Sequence, residues 1–152
     1  MAESGRLEAG IHRFSLRVYY EDTDAGGVVY HAAYLRFAER ARTEMLRCLR
    51  LDHGDLRARF GLTFVVRRCV IDFLAPAHLD DLLDVRTRPL RLGGASLDLE
   101  QRILRDHRLL ARLEVRLALI SPTLRVARLP REVIAALAPL EAATPPAARV
   151  RA

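Results

Sequence analysis

Residues 19–34 read YYEDTDAGGVVYHAAY, and residues 35–51 continue LRFAERARTEMLRCLRL. The change of rhythm inside this stretch decides the fold. Just before it, Phe14, Leu16, Val18 and Tyr20 alternate with more polar neighbours. That period of two predicts a half-buried strand from His12 to Tyr20. Glu21 to Gly27 is rich in turn residues. From Tyr30 to Leu51 the period becomes helical: Tyr34, Phe37, Ala38, Ala41, Met45 and Cys48 follow the i, i+3, i+4, i+7 rule. Leu35, Leu46 and Leu49 widen the apolar stripe. A stripe this broad needs cover on more than one side, which predicts a sheet wrapped around the helix.

Working outward, Asp52 to Phe60 predicts a short second helix that Gly61 ends. Leu62 to Leu74 returns to strand character, carrying Phe64, Val66, Val70, Ile71 and Phe73, until Pro76 interrupts it. Three more strands follow, Leu82 to Leu92, Ala95 to Arg105 and Leu109 to Ser121, with turns at Gly93-Gly94 and Asp106-His107. Leu97, Leu99, Gln101 and Ile103 share one face, as do Leu113, Val115, Leu117 and Leu119. Short turns between such strands predict an antiparallel meander. Pro130 to Leu137 reads as a short terminal helix. The order of elements is α+β: a single domain over residues 13–138, between a loose arm at 1–12 and a frayed Ala/Pro-rich tail at 139–152.

Composition narrows the classes. The 152 residues suit one domain, and 51% hydrophobic with 29% charged residues is a globular profile. No apolar run reaches the roughly 20 residues of a membrane span. Met1 to His12 lacks the basic-then-apolar order of a signal peptide, which points to the cytoplasm. Cys48 and Cys69 fall inside apolar patterns and read as two buried thiols. No Cys or His pair has zinc spacing, so neither a metal site nor a cofactor is expected. The net charge of +6 comes from 25 basic residues, all arginine, scattered among 19 acids. Without a clustered basic face it gives little ground for nucleic-acid binding, but it suits a phosphate-bearing ligand.

The chemistry gathers around Asp24. A carboxylate, two glycines that permit close approach, and a helix start follow one another. The free N–H groups at a helix start bind anions. A carboxylate facing such donors suits thioester hydrolysis: the first attacks or activates water, the second holds the oxyanion. An Asp before a helix is also a common cap or turn residue, and the residues alone leave both readings open. A serine hydrolase is disfavoured, because GGASL around Ser96 is not a G-x-S-x-G elbow.

The stretch RVYYEDTDAGGVVYHAAYLRFAERARTEML, Arg17 to Leu46, resembles the hallmark of the 4-hydroxybenzoyl-CoA thioesterase superfamily. Within it, the chain is most similar to the bacterial acyl-CoA thioesterase family associated with the Tol–Pal system. The similarity continues through FVVRRCVIDFLAPAHLDDLLDV, Phe64 to Val85, and SLDLEQRI, Ser96 to Ile103, covering most of residues 14–130. The resemblance implies the hotdog fold, an antiparallel sheet wrapped around one long helix, and hydrolysis of acyl-coenzyme A to free acid and coenzyme A.

By that resemblance Asp24 is the nucleophile or general base, and Asp22 a structural neighbour. The oxyanion donor is the backbone N–H of His31, whose ring either meets substrate or packs at the helix end. Gly27 admits the thioester and Tyr30 lines the acyl pocket. The resemblance also implies a homodimer or homotetramer with the site between subunits. Relatives often carry a basic residue in the turn before the position of Ser96, itself counted among the substrate-binding residues. Here that turn is Leu92-Gly93-Gly94-Ala95, so contact with coenzyme phosphates either falls to Arg88 and Arg91, with Arg67 and Arg68 behind them, or is absent. Acyl carrier protein is a further expected partner. The alternative is an adaptor that binds it, or envelope-division machinery, with weak catalysis.

Overall fold

In the computed structural model, which describes residues 4–144, the alternating runs form one seven-stranded antiparallel sheet. Its strands are β1 (Arg6–Glu8), β2 (Ile11–Arg17), β3 (Thr63–Phe73), β4 (Leu82–Leu92), β5 (Ser96–Arg105), β6 (Arg108–Ile120) and β7 (Val126–Ala127). They lie in the order β1-β2-β4-β5-β6-β3, with β7 paired to β6. The helices are α1 (Ala33–Cys48), α2 (His53–Phe60) and α3 (Arg131–Ala142).

The helical stripe is the core. Ala33, Tyr34, Phe37, Ala38, Ala41, Met45 and Leu46 of α1 are buried. They meet Leu83 and Val85 of β4, Leu97, Leu99 and Ile103 of β5, and Leu113, Val115 and Leu117 of β6 in one cluster. The alternation puts these residues on one face of the sheet. Burying each leucine, valine, isoleucine, phenylalanine or methionine among them contributes about 1.5–3 kcal/mol. Asp52 caps α2 by accepting the Asp55 N–H at 2.9 Å, and Gly61 stops it in the left-handed region, φ 67°.

Pro89 sits inside β4, where a missing N–H would ordinarily break a ladder. The pairing of β2 with β4 reaches only to His12 opposite Thr87, so Pro89 lies beyond its neighbour's end. There α3 takes over: the Thr144 hydroxyl donates to the Pro89 carbonyl at 2.8 Å, and the Leu92 N–H donates to Glu141 at 2.8 Å.

Four expectations are corrected. Residues 6–8 of the expected loose arm form β1, paired with Ile11 to Arg13 of β2, and the His12 ring is buried under Ser4. The expected tail is helical through Ala142, with Leu140 buried; residues 145–152 of that expectation lie outside the described ones. The long helix starts at Ala33 rather than Tyr30, because Tyr30 to Ala32 form the turn into it. Cys69 is exposed, while Cys48 is half-buried. Cys69 lies on β3, the sheet's edge strand, whereas α1 packs over β2 and β4 and leaves it uncovered.

The outer face explains the arginines. Glu100 is 1% exposed, yet Arg88, Arg102 and Arg112 all pair with it, at 2.7, 2.9 and 2.7 Å. Arg116 pairs with Asp98 at 2.8 Å and Arg13 with Asp84 at 2.7 Å. Burial alone would raise the Glu100 carboxyl, but the guanidiniums of Arg112, Arg88 and Arg102 outweigh it and hold it below its ordinary value. Much of the basic charge is thus engaged in cross-strand pairs.

Candidate active site

The loop between β2 and α1 is built by backbone pairing. The Asp24 N–H donates to the Val28 carbonyl at 2.9 Å, and the Gly27 N–H donates to the Asp24 carbonyl at 3.1 Å. Gly27 has φ 80°, which a side chain resists, and nothing lies within 4 Å of the position a Cβ would take. The glycine serves the turn and leaves open space beside it.

Asp22 and Asp24 separate cleanly. Asp22 is 2% exposed and its Oδ2 accepts the Tyr19 N–H at 2.8 Å. Arg36 stands 3.9 Å from its other oxygen. Asp24 is exposed. Its Oδ1 accepts the Gly26 N–H at 2.8 Å and the Val28 N–H at 3.4 Å, and its Oδ2 has no hydrogen-bond donor among the described residues. One oxygen fixes the side chain; the other stays available.

The entry to α1 is bare. Its N-cap is Ala32, no side chain caps it, and its first turn holds no acid. The His31 N–H has no acceptor among the described residues. The positive end of the helix dipole therefore faces out with an unused donor. Tyr30, 45% exposed, holds the loop by donating its N–H to the Asp22 carbonyl at 2.8 Å, while its ring lies 4.5 Å from the His31 ring.

A second wall comes from residues the sequence reading did not single out. The segment after β3 returns beside the loop, the Val29 N–H donating to the Ala77 carbonyl at 2.8 Å and Val28 bridging to His78. The Tyr34 hydroxyl accepts the Ala77 N–H at 3.2 Å, and burial pushes its phenol pKa up. Phe73 stands edge-on to both Tyr34 and His31, at 5.5 and 6.4 Å. Only a long-range contact between β3 and α1 brings Phe73 here, and no local pattern carries that signal.

The expected arginines divide. Arg88 places two nitrogens on Glu100, at 3.0 and 2.7 Å. Arg91 is exposed and has no partner among the described residues. Arg67 and Arg68 are exposed on β3. Ser96 opens β5, and its carbonyl accepts the Gly93 N–H at 2.8 Å across the turn. That turn is not without charge in space: the Arg128 guanidinium lies 3.6 Å from the position of a Cβ on Gly94. Among the described residues no three His, Cys, Asp or Glu side chains gather as metal ligands. No helix there is long and apolar enough to cross a membrane.

The family model of the thioesterase-like superfamily matches residues 18–137. The chain belongs to that superfamily. It is 47% identical over 124 residues to an acyl-CoA thioesterase, YbgC, of Haemophilus influenzae, covering 81% of this chain and 91% of the relative. An acyl-CoA thioester hydrolase, YbgC, of Escherichia coli is 44% identical over 131 residues, covering 85% and 97%. Among solved structures, a probable thioesterase from Bartonella henselae superposes with a TM-score of 0.77 at 44% identity, over 79% of this chain and 99% of that one. The thioesterase superfamily's hotdog fold is therefore the fold of this chain, α1 being the helix its sheet encloses.

Proposed function

We propose that this chain hydrolyses acyl-coenzyme A thioesters. The supporting observation is the pairing of an exposed Asp24 carboxylate, one oxygen unpartnered, with an uncapped helix start whose His31 N–H is unused. Its YbgC relatives, similar over most of their length, carry that activity in their names.

In this reading the thioester carbonyl lies near Gly27 with its oxygen toward the His31 N–H. Asp24 attacks the carbonyl carbon, or takes a proton from the water that does. The His31 N–H and the helix dipole stabilise the oxyanion, a donor of this kind contributing about 3 kcal/mol. The thiolate of coenzyme A leaves; where water attacked, the free acid is formed at once, and where Asp24 attacked, water then hydrolyses the acyl–Asp24 anhydride to release it. Tyr30, Phe73 and the His31 ring border the acyl group near the thioester. Arg91 and Arg128, flanking the Leu92–Ser96 turn, meet the coenzyme phosphates, while Arg88 is held by Glu100. A second copy paired along β3 completes the site.

The test is hydrolysis of a panel of acyl-coenzyme A thioesters by the wild type and by Asp24→Asn. Turnover lost in the variant supports the assignment; equal turnover by both proteins sinks it.

A further inference from the structure

Arg42 is a cation without a carboxylate partner among the described residues. It lies on α1, half-buried, and burial pulls its pKa down. Nη1 donates to Oε1 of Gln101 at 2.9 Å, and no other nitrogen has an acceptor among the described residues. Gln101 is fully buried, and its amide nitrogen donates to the Ala38 carbonyl at 2.9 Å and the Thr87 hydroxyl at 3.0 Å. This amide, held from three directions, fixes the guanidinium level with the turn of α1 that contains Ala38. Glu39, which acts on Arg42 through space, accepts the Thr43 hydroxyl at 2.9 Å instead of pairing with it. The Cys69 thiol on β3 is the other titratable neighbour.

The surroundings form a strip open to solvent. Val66, Cys69 and Phe73 pair with Leu117, Val115 and Ala111, all buried, so they share the core side of the sheet. Yet Val66 and Phe73 are each 50% exposed and Cys69 is exposed, because α1 does not cover β3. One end of the strip is Phe73 against Tyr34 and His31. Toward the other end lie Cys69 and the Arg42 guanidinium, which act on each other through space. Ala38 lies seven positions beyond His31 and five beyond the first residue of α1, a span of roughly 10 Å at helical rise.

We infer that this strip receives the acyl group, and that Arg42 binds a carboxylate at its far end, so that monothioesters of dicarboxylic acids are preferred substrates. The inference rests on the proposed hydrolysis at Asp24 and names its substrate class. A half-buried guanidinium with unused donors is favoured by a forked, charge-assisted contact. The apolar strip between the two ends matches the methylene chain of such an acid.

The experiment measures kcat/KM for matched pairs, octanoyl against suberoyl and hexanoyl against adipoyl coenzyme A. It uses the full chain, Arg42→Met and Cys69→Asp, with size exclusion on each. The wild type should favour the dicarboxylic member about tenfold or more, chiefly through KM. Arg42→Met should collapse that ratio. Cys69→Asp, at an exposed position, supplies an internal carboxylate and should collapse it too, which keeps the test decisive if Arg42→Met fails to fold. A wild type without the preference, or a ratio that survives Cys69→Asp, overturns the inference. So does an Arg42→Met protein that keeps the ratio and changes only its oligomeric state, since the guanidinium then serves a second copy. A wild type that cleaves no thioester overturns the proposed function itself, and this inference with it.

Discussion

Asp22 and Asp24 stand two residues apart with opposite surroundings: Asp22 is buried on the Tyr19 N–H, and Asp24 is exposed with one oxygen unpartnered. Their substitutions should separate accordingly. Asp24→Asn should lower kcat on the order of a hundredfold or more and leave the melting temperature nearly unchanged. Asp22→Ala strands the part-buried Tyr19 N–H and should cost about 1 kcal/mol of stability. Thermal melts and steady-state kinetics on the two proteins decide this; a stable, inactive Asp22→Ala beside an active Asp24→Asn would reverse the assignment.

Glu100 is the keystone of the outer face. Its folded pKa lies below the ordinary 4.5, so its stabilising contribution is fully present above that value. It is lost as pH falls through the lower folded value, because the unfolded chain takes up the proton first. Urea unfolding from neutral pH down to about pH 3 should show a fall in stability that Glu100→Gln flattens. Glu100→Ala, which leaves Arg88, Arg102 and Arg112 around an empty place, should cost on the order of 3 kcal/mol.

His12 has the opposite chemistry and the same sign. Its ring is buried, Nε2 meets the Ser4 carbonyl at 2.8 Å, and Nδ1 has no partner among the described residues. Burial depresses its pKa below 6.5, so the fold holds it neutral. As pH drops below 6.5 the unfolded chain binds the proton first, and stability declines until the folded pKa is reached. Comparing unfolding midpoints at about pH 7.5 and 5.5 should show this slope, and His12→Leu should abolish that part of it.

What the sequence disclosed, and what it withheld, follow from how local each signal is. The period of two in β5 and β6 and the broad stripe of α1 dictate the wrapped sheet, because each face must bury its own residues. Asp24, Gly27 and His31 lie within one short loop, so their neighbourhood is written in consecutive residues. Phe73, Ala77 and Arg128 reach their places through strand pairing across many residues. The order β1-β2-β4-β5-β6-β3, which leaves β3 at the edge, is a topological outcome, and that is why Cys69 reads as buried in sequence and is exposed in the fold. The ordering of Arg6 to Glu8 likewise depends on the β2 edge that accepts it.

Coenzyme binding should separate the arginines. Arg91→Ala and Arg128→Ala remove exposed guanidiniums without partners among the described residues, and each should raise KM several-fold with kcat little changed. Their effect should shrink as salt rises. Arg88→Ala should instead lower the melting temperature, because it removes two hydrogen bonds from buried Glu100. Unchanged KM in the Arg91→Ala, Arg128→Ala double variant would place the phosphates elsewhere.

The edge strand predicts assembly. β3 runs eleven residues with one side unpaired among the described residues, and it exposes Val66, Val70 and Phe73, with Leu74 just beyond its end. A long, apolar free edge of this kind is covered in stable proteins. A two-fold pairing of β3 with its copy uses one surface twice and extends the sheet continuously. It also roofs the strip beside Phe73 and brings the partner's strand toward Asp24. The chain should therefore run as a dimer or larger in size exclusion with light scattering. Val70→Pro removes a ladder N–H at the middle of this edge, and should shift the protein toward monomer and lower activity together. Wild-type activity per chain should fall on dilution below the dissociation constant. A fully active monomer at nanomolar concentration would separate catalysis from assembly and defeat the prediction.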